Sequence, residues 1–254
     1  MRELLDISKF LGMPTEASAH AGDIDFMMAM VHWLMLLLFV GWGTFFIYTL
    51  IRFRRSNNPT ASYEGTTGKY SKIQEAGVIL AEATLLVGFA FPMWNTLKNE
   101  FPMAESAFEV HVIAEQFAWN IHYPGPDGVF GRREIALIDV VSNPIGLDST
   151  DPASADDVVM VNELHLPVNR PAIVHLTSKD VIHSFSLPEM RIKQDAIPGL
   201  EIPIGFKPVK TGEFEIACAQ LCGLSHYRMR GFLTVESQAE VDAWLVQMTE
   251  EAAL

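Results

Sequence analysis

Residues 26–51 read FMMAMVHWLMLLLFVGWGTFFIYTLI, 26 consecutive positions without a formal charge. At the rise of an α-helix this run extends about 39 Å, more than the roughly 30 Å hydrocarbon core of a bilayer. Core helices of soluble proteins rarely stay uncharged for so long, and Trp33, Trp42 and Tyr48 suit interfacial or packed positions. A second apolar stretch, residues 76–96, is broken only by Glu82 and carries Pro92 near its far end. The pattern predicts a transmembrane hairpin over 26–96, with helices at 26–51 and 76–96, preceded by a short segment, 1–25.

Arg52, Arg54, Arg55, Lys69 and Lys72 lie between the two spans, opposed only by Glu64 and Glu75, so that loop is expected in the cytoplasm. The first 25 residues are mostly acidic where charged and show no short apolar core followed by a cleavage site, so they read as translocated and uncleaved. Two crossings then put residues 97–254 outside the cytoplasm as well. That segment holds 23 Asp and Glu against 11 Lys and Arg, which leaves it −12 of the chain's −13. Such a charge serves solubility and can steer a basic partner, with Glu189, Asp195 and Glu201 as a candidate docking face. Nucleic acid is not among the partners expected.

Beyond Pro102 the long apolar runs give way to short ones: EVHVIAEQFAWNIHYP, REIALIDVV, DVVMVNELHLP, PAIVHLTS, GEFEIACAQLC and MRGFLTVES. These read as β-strands separated by Gly, Pro and Asn turns, at a spacing that suits a sandwich or barrel. Residues 148–157, DSTDPASADD, read as a mobile loop on composition. From residue 238 to the end, Val241, Trp244, Leu245 and Met248 recur at helical spacing, so a last amphipathic helix is expected to close the domain.

Both cysteines of the chain fall within residues 218–229, CAQLCGLSHYRM, together with His226 and Met229. Two thiols, an imidazole and a thioether are the donors that soft transition metals prefer. A disulfide inside the loop is the plain alternative, but it would leave His226 and Met229 without a role. Structural zinc takes four Cys or His ligands, whereas a Met ligand points to copper in an electron-transfer site. A further ligand is expected from a neighbouring strand. His111, His165 and His175 sit in alternating strand patterns and His122 in an aromatic segment, so they read as ordinary strand residues. His183 lies directly after a strand, in SKDVIHSF, at a strand end where ligands gather, and is the candidate.

This loop, the DVIHSF stretch and KQDAIPG at residues 193–199 together resemble subunit II of the cytochrome c oxidase family. The likeness covers nearly the whole chain. It implies a two-helix anchor followed by an external all-β, cupredoxin-like domain, 97–254, carrying the binuclear copper A centre. By that resemblance His183 and His226 each ligate one copper, Cys218 and Cys222 bridge both, Met229 is axial on one, and the Gln220 carbonyl completes the other. It further implies electron transfer from a c-type cytochrome or another periplasmic carrier to haem in subunit I, where oxygen is reduced, with subunit III as a further partner and a bacterial inner membrane as the location. The family commonly has Glu where this chain has Gln220, so a magnesium site shared with subunit I is in doubt. Many members also place an electron-accepting Trp where this chain has Phe117, which leaves Phe117 and Trp119 as candidates for that route. Glu75 resembles the family's acid at the mouth of a proton channel, and Glu82 is a second acid within the span.

Haem and copper B would belong to a partner chain, since His32 is the only histidine of the two spans and no C-x-x-C-H motif is present. Two rivals remain in other classes. A quinol oxidase subunit II would share the fold without copper, which the full set of ligand residues opposes. A membrane-tethered copper carrier or assembly protein would hold a single copper reversibly, which the paired cysteines oppose.

Overall fold

The computed structural model describes residues 5–61, 63–65, 68–99 and 106–252; Arg2, Glu3 and Pro102 lie outside them. The chain divides into two compact units, Met1–Met13 with Asp23–Thr96, and Pro14–Gly22 with Leu97–Leu254.

The first unit is built on two long helices, α1 (Ala21–Arg52) and α2 (Lys69–Asn99), each long and apolar enough to cross a bilayer. Helix α1 starts five residues before the uncharged run, since Asp23 sits in its first turn and Arg52 in its last, each facing the helix end whose dipole it complements. Helix α2 starts seven residues earlier than expected, because its leading residues include Lys, Gln and Glu, good helix formers that extend it with polar turns. Glu75 therefore lies inside the helix, in its second turn. Both Glu75 and Glu82 are exposed on the single chain. A π-helical turn, Leu86–Ala90, comes just before Pro92. Proline lacks the N–H and its ring crowds the carbonyl four residues back, and the wider turn relieves that conflict.

The second unit is a sandwich of two five-stranded sheets. One has the order β3 (Val158–Val161), β2 (Ala118–Tyr123), β1 (Phe108–Glu115), β5 (Ala172–Ser178), β8 (Ile202–Phe206). The other runs β4 (Glu163–Pro167), β10 (Arg230–Glu236), β9 (Gly212–Cys218), β6 (His183–Leu187), β7 (Ile192–Ala196). The pairs β1–β5 and β4–β10 are parallel and the others antiparallel. Strand β1 shows why the sheets face each other: Phe108, Val110, Val112 and Ala114 are buried, while Glu109, His111 and Glu115 lie on the other face. Trp119, Tyr123, Phe185 and Leu164 are fully buried between the sheets. Helix α3 (Gln238–Ala252) buries Val241 and Leu245 and sets Trp244 against Tyr123 and, stacked at 4.0 Å, against His165.

Three local expectations are corrected. DVVMVNELHLP is not one strand but two, and they lie in opposite sheets. Asn162 makes the switch with a positive φ of 65°, its backbone donating to Trp119 O and its side chain accepting from Trp119 N–H at 2.9 Å. REIALIDVV forms no strand: Asp139 accepts from the N–H groups of Val141 and Ser142 at 3.0 and 2.8 Å, and this local turn outcompetes strand pairing. Residues 148–157 are hydrogen-bonded in place, with Asp148 bound to Arg132 and Thr150, Asp151 capping a short helix Pro152–Ala155, and Asp157 buried on His122.

Candidate metal centre

Two neighbouring strands of the second sheet bring the site together. Strand β6 begins at His183 and β9 ends at Cys218, and Phe185 pairs with Cys218, so the loop leaving β9 passes over the start of β6. That loop is tied at both ends: Ala219 N–H donates to Ser184 O at 2.9 Å, and Cys218 N–H donates to Met229 O at 3.3 Å.

The donors foreseen in the sequence converge there. Cys218 Sγ and Cys222 Sγ are 3.8 Å apart. His183 Nδ1 lies 3.1 Å from Met229 Sδ and 3.9 Å from Cys218 Sγ. On the other side His226 Nδ1 is 3.6 Å from Cys222 Sγ, and Met229 Sδ is 3.8 Å from the same sulfur. The Gln220 carbonyl sits 3.3 Å from Cys218 Sγ. Both cysteines are free thiols, at nearly twice the roughly 2.05 Å length of a disulfide, so the loop holds no bridge. Two thiols, two imidazole nitrogens, a thioether and a carbonyl fit a soft metal such as copper and fit a hard cation poorly.

Comparison with known proteins agrees with this chemistry. The family model described as cytochrome c oxidase subunit II, periplasmic domain, matches residues 108–237. The alternative cytochrome c oxidase subunit 2 of Bradyrhizobium diazoefficiens is 33% identical over 241 residues, covering 94% of this chain and 85% of that protein. The chain belongs to the cytochrome c oxidase subunit II family. Its members include the cytochrome c oxidase subunit 2 of Synechocystis sp., 28% identical over 92% of this chain and 74% of its own length. Among solved structures, the periplasmic domain of subunit II of cytochrome oxidase of Bradyrhizobium japonicum is 28% identical, covers 57% of this chain and 96% of its own, and superposes with a TM-score of 0.43. As a subunit II the protein is a membrane-anchored part of an oxidoreductase, and its family is one that carries copper A.

In this subunit II the electrostatics separate the two sulfurs. Burial opposes ionisation of Cys218, but hydrogen bonds from His183, the Ser184 and Gln220 backbone and His226 prevail and bring it down to about 6. Burial and the neighbouring Cys218 push Cys222 up to about 11. His183 is itself raised: burial works against its charged form, yet Cys218 and Asp180 outweigh it.

Two supports of the site gave little signal beforehand. Asp180, three residues before His183, accepts from His183 Nε2–H at 2.9 Å and thereby turns Nδ1 towards the sulfurs. Its other oxygen accepts from Gln116 N–H at 2.7 Å, and the Gln116 amide donates to Cys222 O at 2.5 Å. The signal for Asp180 was its i to i+3 spacing from a strand-edge histidine; nothing local marked Gln116.

Phe117 and Trp119 take different positions. Phe117 is half-buried with its ring against Gly223 of the loop, whereas Trp119 is wholly enclosed and meets His183 edge-on at 6.2 Å. The Gln220 side chain is exposed at the loop surface. Glu201 and Asp195 of the expected docking face are engaged locally, by Arg133 at 3.1 Å and by Ser184 at 2.7 Å respectively. Around the loop tip the exposed side chains are Leu221, Leu224 and Tyr227, together with the polar Gln220 and Arg228.

Proposed function

We propose that this chain takes in electrons for a terminal haem–copper oxidase, accepting them from a c-type cytochrome or another carrier outside the cytoplasm at a binuclear copper A centre and passing them to haem in subunit I. The observation that carries the reading is that six donor groups from β6 and one loop each lie 3.1–3.9 Å from at least one other of the set, with His183, Cys218 and Cys222 in mutual reach. His183, Cys218, Cys222, His226, Met229 and the Gln220 carbonyl would hold the copper. When bound, such a centre supplies a one-electron redox step shared between two ions.

The chain's own residues prepare that step. Cys218 is held towards its thiolate by its hydrogen bonds, whereas Cys222, pushed up by burial and by Cys218, releases its proton as metal binds. Asp180 fixes the tautomer and aim of His183. The two tied loop ends and the packed sheets beneath hold the ligands in one geometry, which limits the rearrangement needed on electron transfer. Phe117, against the loop, is assigned to the electron-input route, with Trp119 beneath His183 as packing and a second candidate. Gln220 offers a hard cation only a neutral amide, so no magnesium site is assigned.

The basic residues between α1 and α2 support a cytoplasmic loop there, with the β-unit on the periplasmic side of a bacterial inner membrane. Subunits I and III are the expected neighbours, and Glu75 is assigned to proton uptake at the cytoplasmic end of α2. The test is a copper count and electron paramagnetic resonance spectrum of the full chain in detergent. Two coppers per chain sharing one unpaired electron is the expected result, lost in His183→Ala. A single localised Cu(II), as in a carrier, or no copper, as in a quinol oxidase subunit, refutes it.

A further inference from the structure

Away from the sulfur-rich loop, the described residues hold one more group of metal-ligating side chains in mutual reach. His111 on β1 and His175 on β5 lie side by side, because the two strands pair in parallel with these residues in register. Their rings stack with centroids 4.8 Å apart. Glu201 stands just before β8, the next strand in the sheet, and its carboxylate reaches His111 Nδ1 at 3.4 Å and His175 Nδ1 at 3.6 Å.

We infer that His111, His175 and Glu201 form a second metal site, for a borderline divalent ion such as Zn(II), separate from the copper loop. Two imidazoles and a carboxylate are donors that zinc accepts, and three protein ligands leave one position open. The ligand atoms already face the right way. Glu109 stands 3.2 Å from His175 Nε2 and would hold a proton there, so that Nδ1, the nitrogen towards Glu201, is the one presented to the metal. A carboxylate behind a histidine in this way is the outer support that metal sites use to fix a tautomer. Arg133 Nη2 donates both to His111 Nδ1 at 2.8 Å and to the Glu201 carboxylate at 3.1 Å. A cation thus already stands where the lone pair and the carboxylate converge, and the metal would take its place. Access is present as well: His111, Arg133 and Glu201 line a cleft of about 610 Å³. His122, next along the row, is tied to Asp157 at 2.7 Å and is outside the group.

The test is a zinc titration of the full chain in detergent with its copper site loaded, followed by X-ray absorption at the zinc edge. One zinc per chain is expected, with nitrogen and oxygen neighbours at about 2.0–2.1 Å and no sulfur. His175→Ala and Glu201→Gln should each abolish it. Glu109→Gln, which removes no ligand, should weaken it on the order of 10- to 100-fold. Arg133→Ala should tighten it by vacating the position. Zinc held through sulfur, no zinc bound by either the natural chain or Arg133→Ala, or affinity indifferent to Glu201→Gln and Glu109→Gln would overturn the inference. The Glu109 and Arg133 changes keep the test decisive if His175→Ala impairs folding.

Discussion

Asp180→Asn isolates the contribution of one carboxylate to the copper site. Oδ1 of Asp180 accepts from His183 Nε2–H at 2.9 Å and from Val181 N–H at 2.6 Å, and Oδ2 accepts from Gln116 N–H at 2.7 Å. Asparagine has the same shape but one acceptor oxygen, so its amide NH2 must face either Gln116 or the His183–Val181 pair, donor against donor. One side loses its bond, and the surviving bonds lose charge assistance. A hydrogen bond to a charged group contributes about 1.5–3 kcal/mol and a neutral one about 1, while a group left unpaired in the interior costs about 1–3. Asp180 is a third exposed, so water recovers part of this. The net change is about 1.5–3 kcal/mol, or roughly 10- to 100-fold in copper retention, the range usual for losing an outer-shell partner of a metal-bound histidine. The assay is competition against a Cu(I) chelator of known affinity, with circular dichroism as the check on folding. Retention within twofold of the natural chain, with the paramagnetic resonance signal unaltered, would show that Asp180 does not orient His183.

Other outcomes follow from the same geometry. In the copper-free, reduced chain, iodoacetamide at neutral pH should label Cys218 and spare Cys222, because one thiol is held near 6 and the other near 11; equal labelling by peptide mass spectrometry would refute the separation. The linked stability has a sign for each thiol. The lowered Cys218 stabilises the fold above its unfolded value of 9.0 and loses this as pH falls through about 6, while the raised Cys222 stabilises it below 9.0 and loses this as pH rises through about 11, so melting of the copper-free chain should reflect a gain from pH 6 to 9 and a loss beyond it. Gly223→Ala should destabilise by about 1–3 kcal/mol, since φ is +142° and a Cβ would stand 2.7 Å from Gln116 Nε2 and 3.0 Å from Phe117 Cζ; an unchanged melting temperature would count against that close approach. Trp119→Ala should cost about 3–5 kcal/mol and Trp119→Phe much less, because the buried ring fills core while its Nε1–H has no hydrogen-bond partner there; equal losses in chemical denaturation would mean the indole N–H matters after all.

The residues that were readable in advance are those whose chemistry is local. An uncharged run of 26 residues declares a membrane span whatever surrounds it, and a loop with two thiols, an imidazole and a thioether declares a soft-metal site. Strand alternation likewise showed the β-domain. What escaped was set by partners distant in sequence or by side-chain bonds to the backbone. The Asp139 turn made a loop of an apolar run whose Ile135 and Val141 are now about nine-tenths exposed. Asn162 split one apolar run between two sheets because its side chain satisfies Trp119, 43 positions away. The Asp148 and Asp151 turns ordered a stretch whose composition alone suggests mobility.

The strand histidines carry the same lesson into the chemistry. Singly, His111 and His175 are polar residues on the outer face of their strands, and alternation gives neither a role. Their meaning comes from the parallel pairing of β1 with β5, which places two residues 64 positions apart directly beside each other, and from β8, which brings Glu201 to the same point. The residues proposed to hold copper show both regimes in one site. Cys218, Cys222, His226 and Met229 share a loop and announce themselves, but His183 reaches them only because β6 lies against β9. A change that weakens β6–β9 pairing should therefore separate His183 from the four loop donors and leave those four together. A site so divided would keep sulfur affinity for copper while losing the shared-electron signature, so copper content and paramagnetic resonance should part company in such variants.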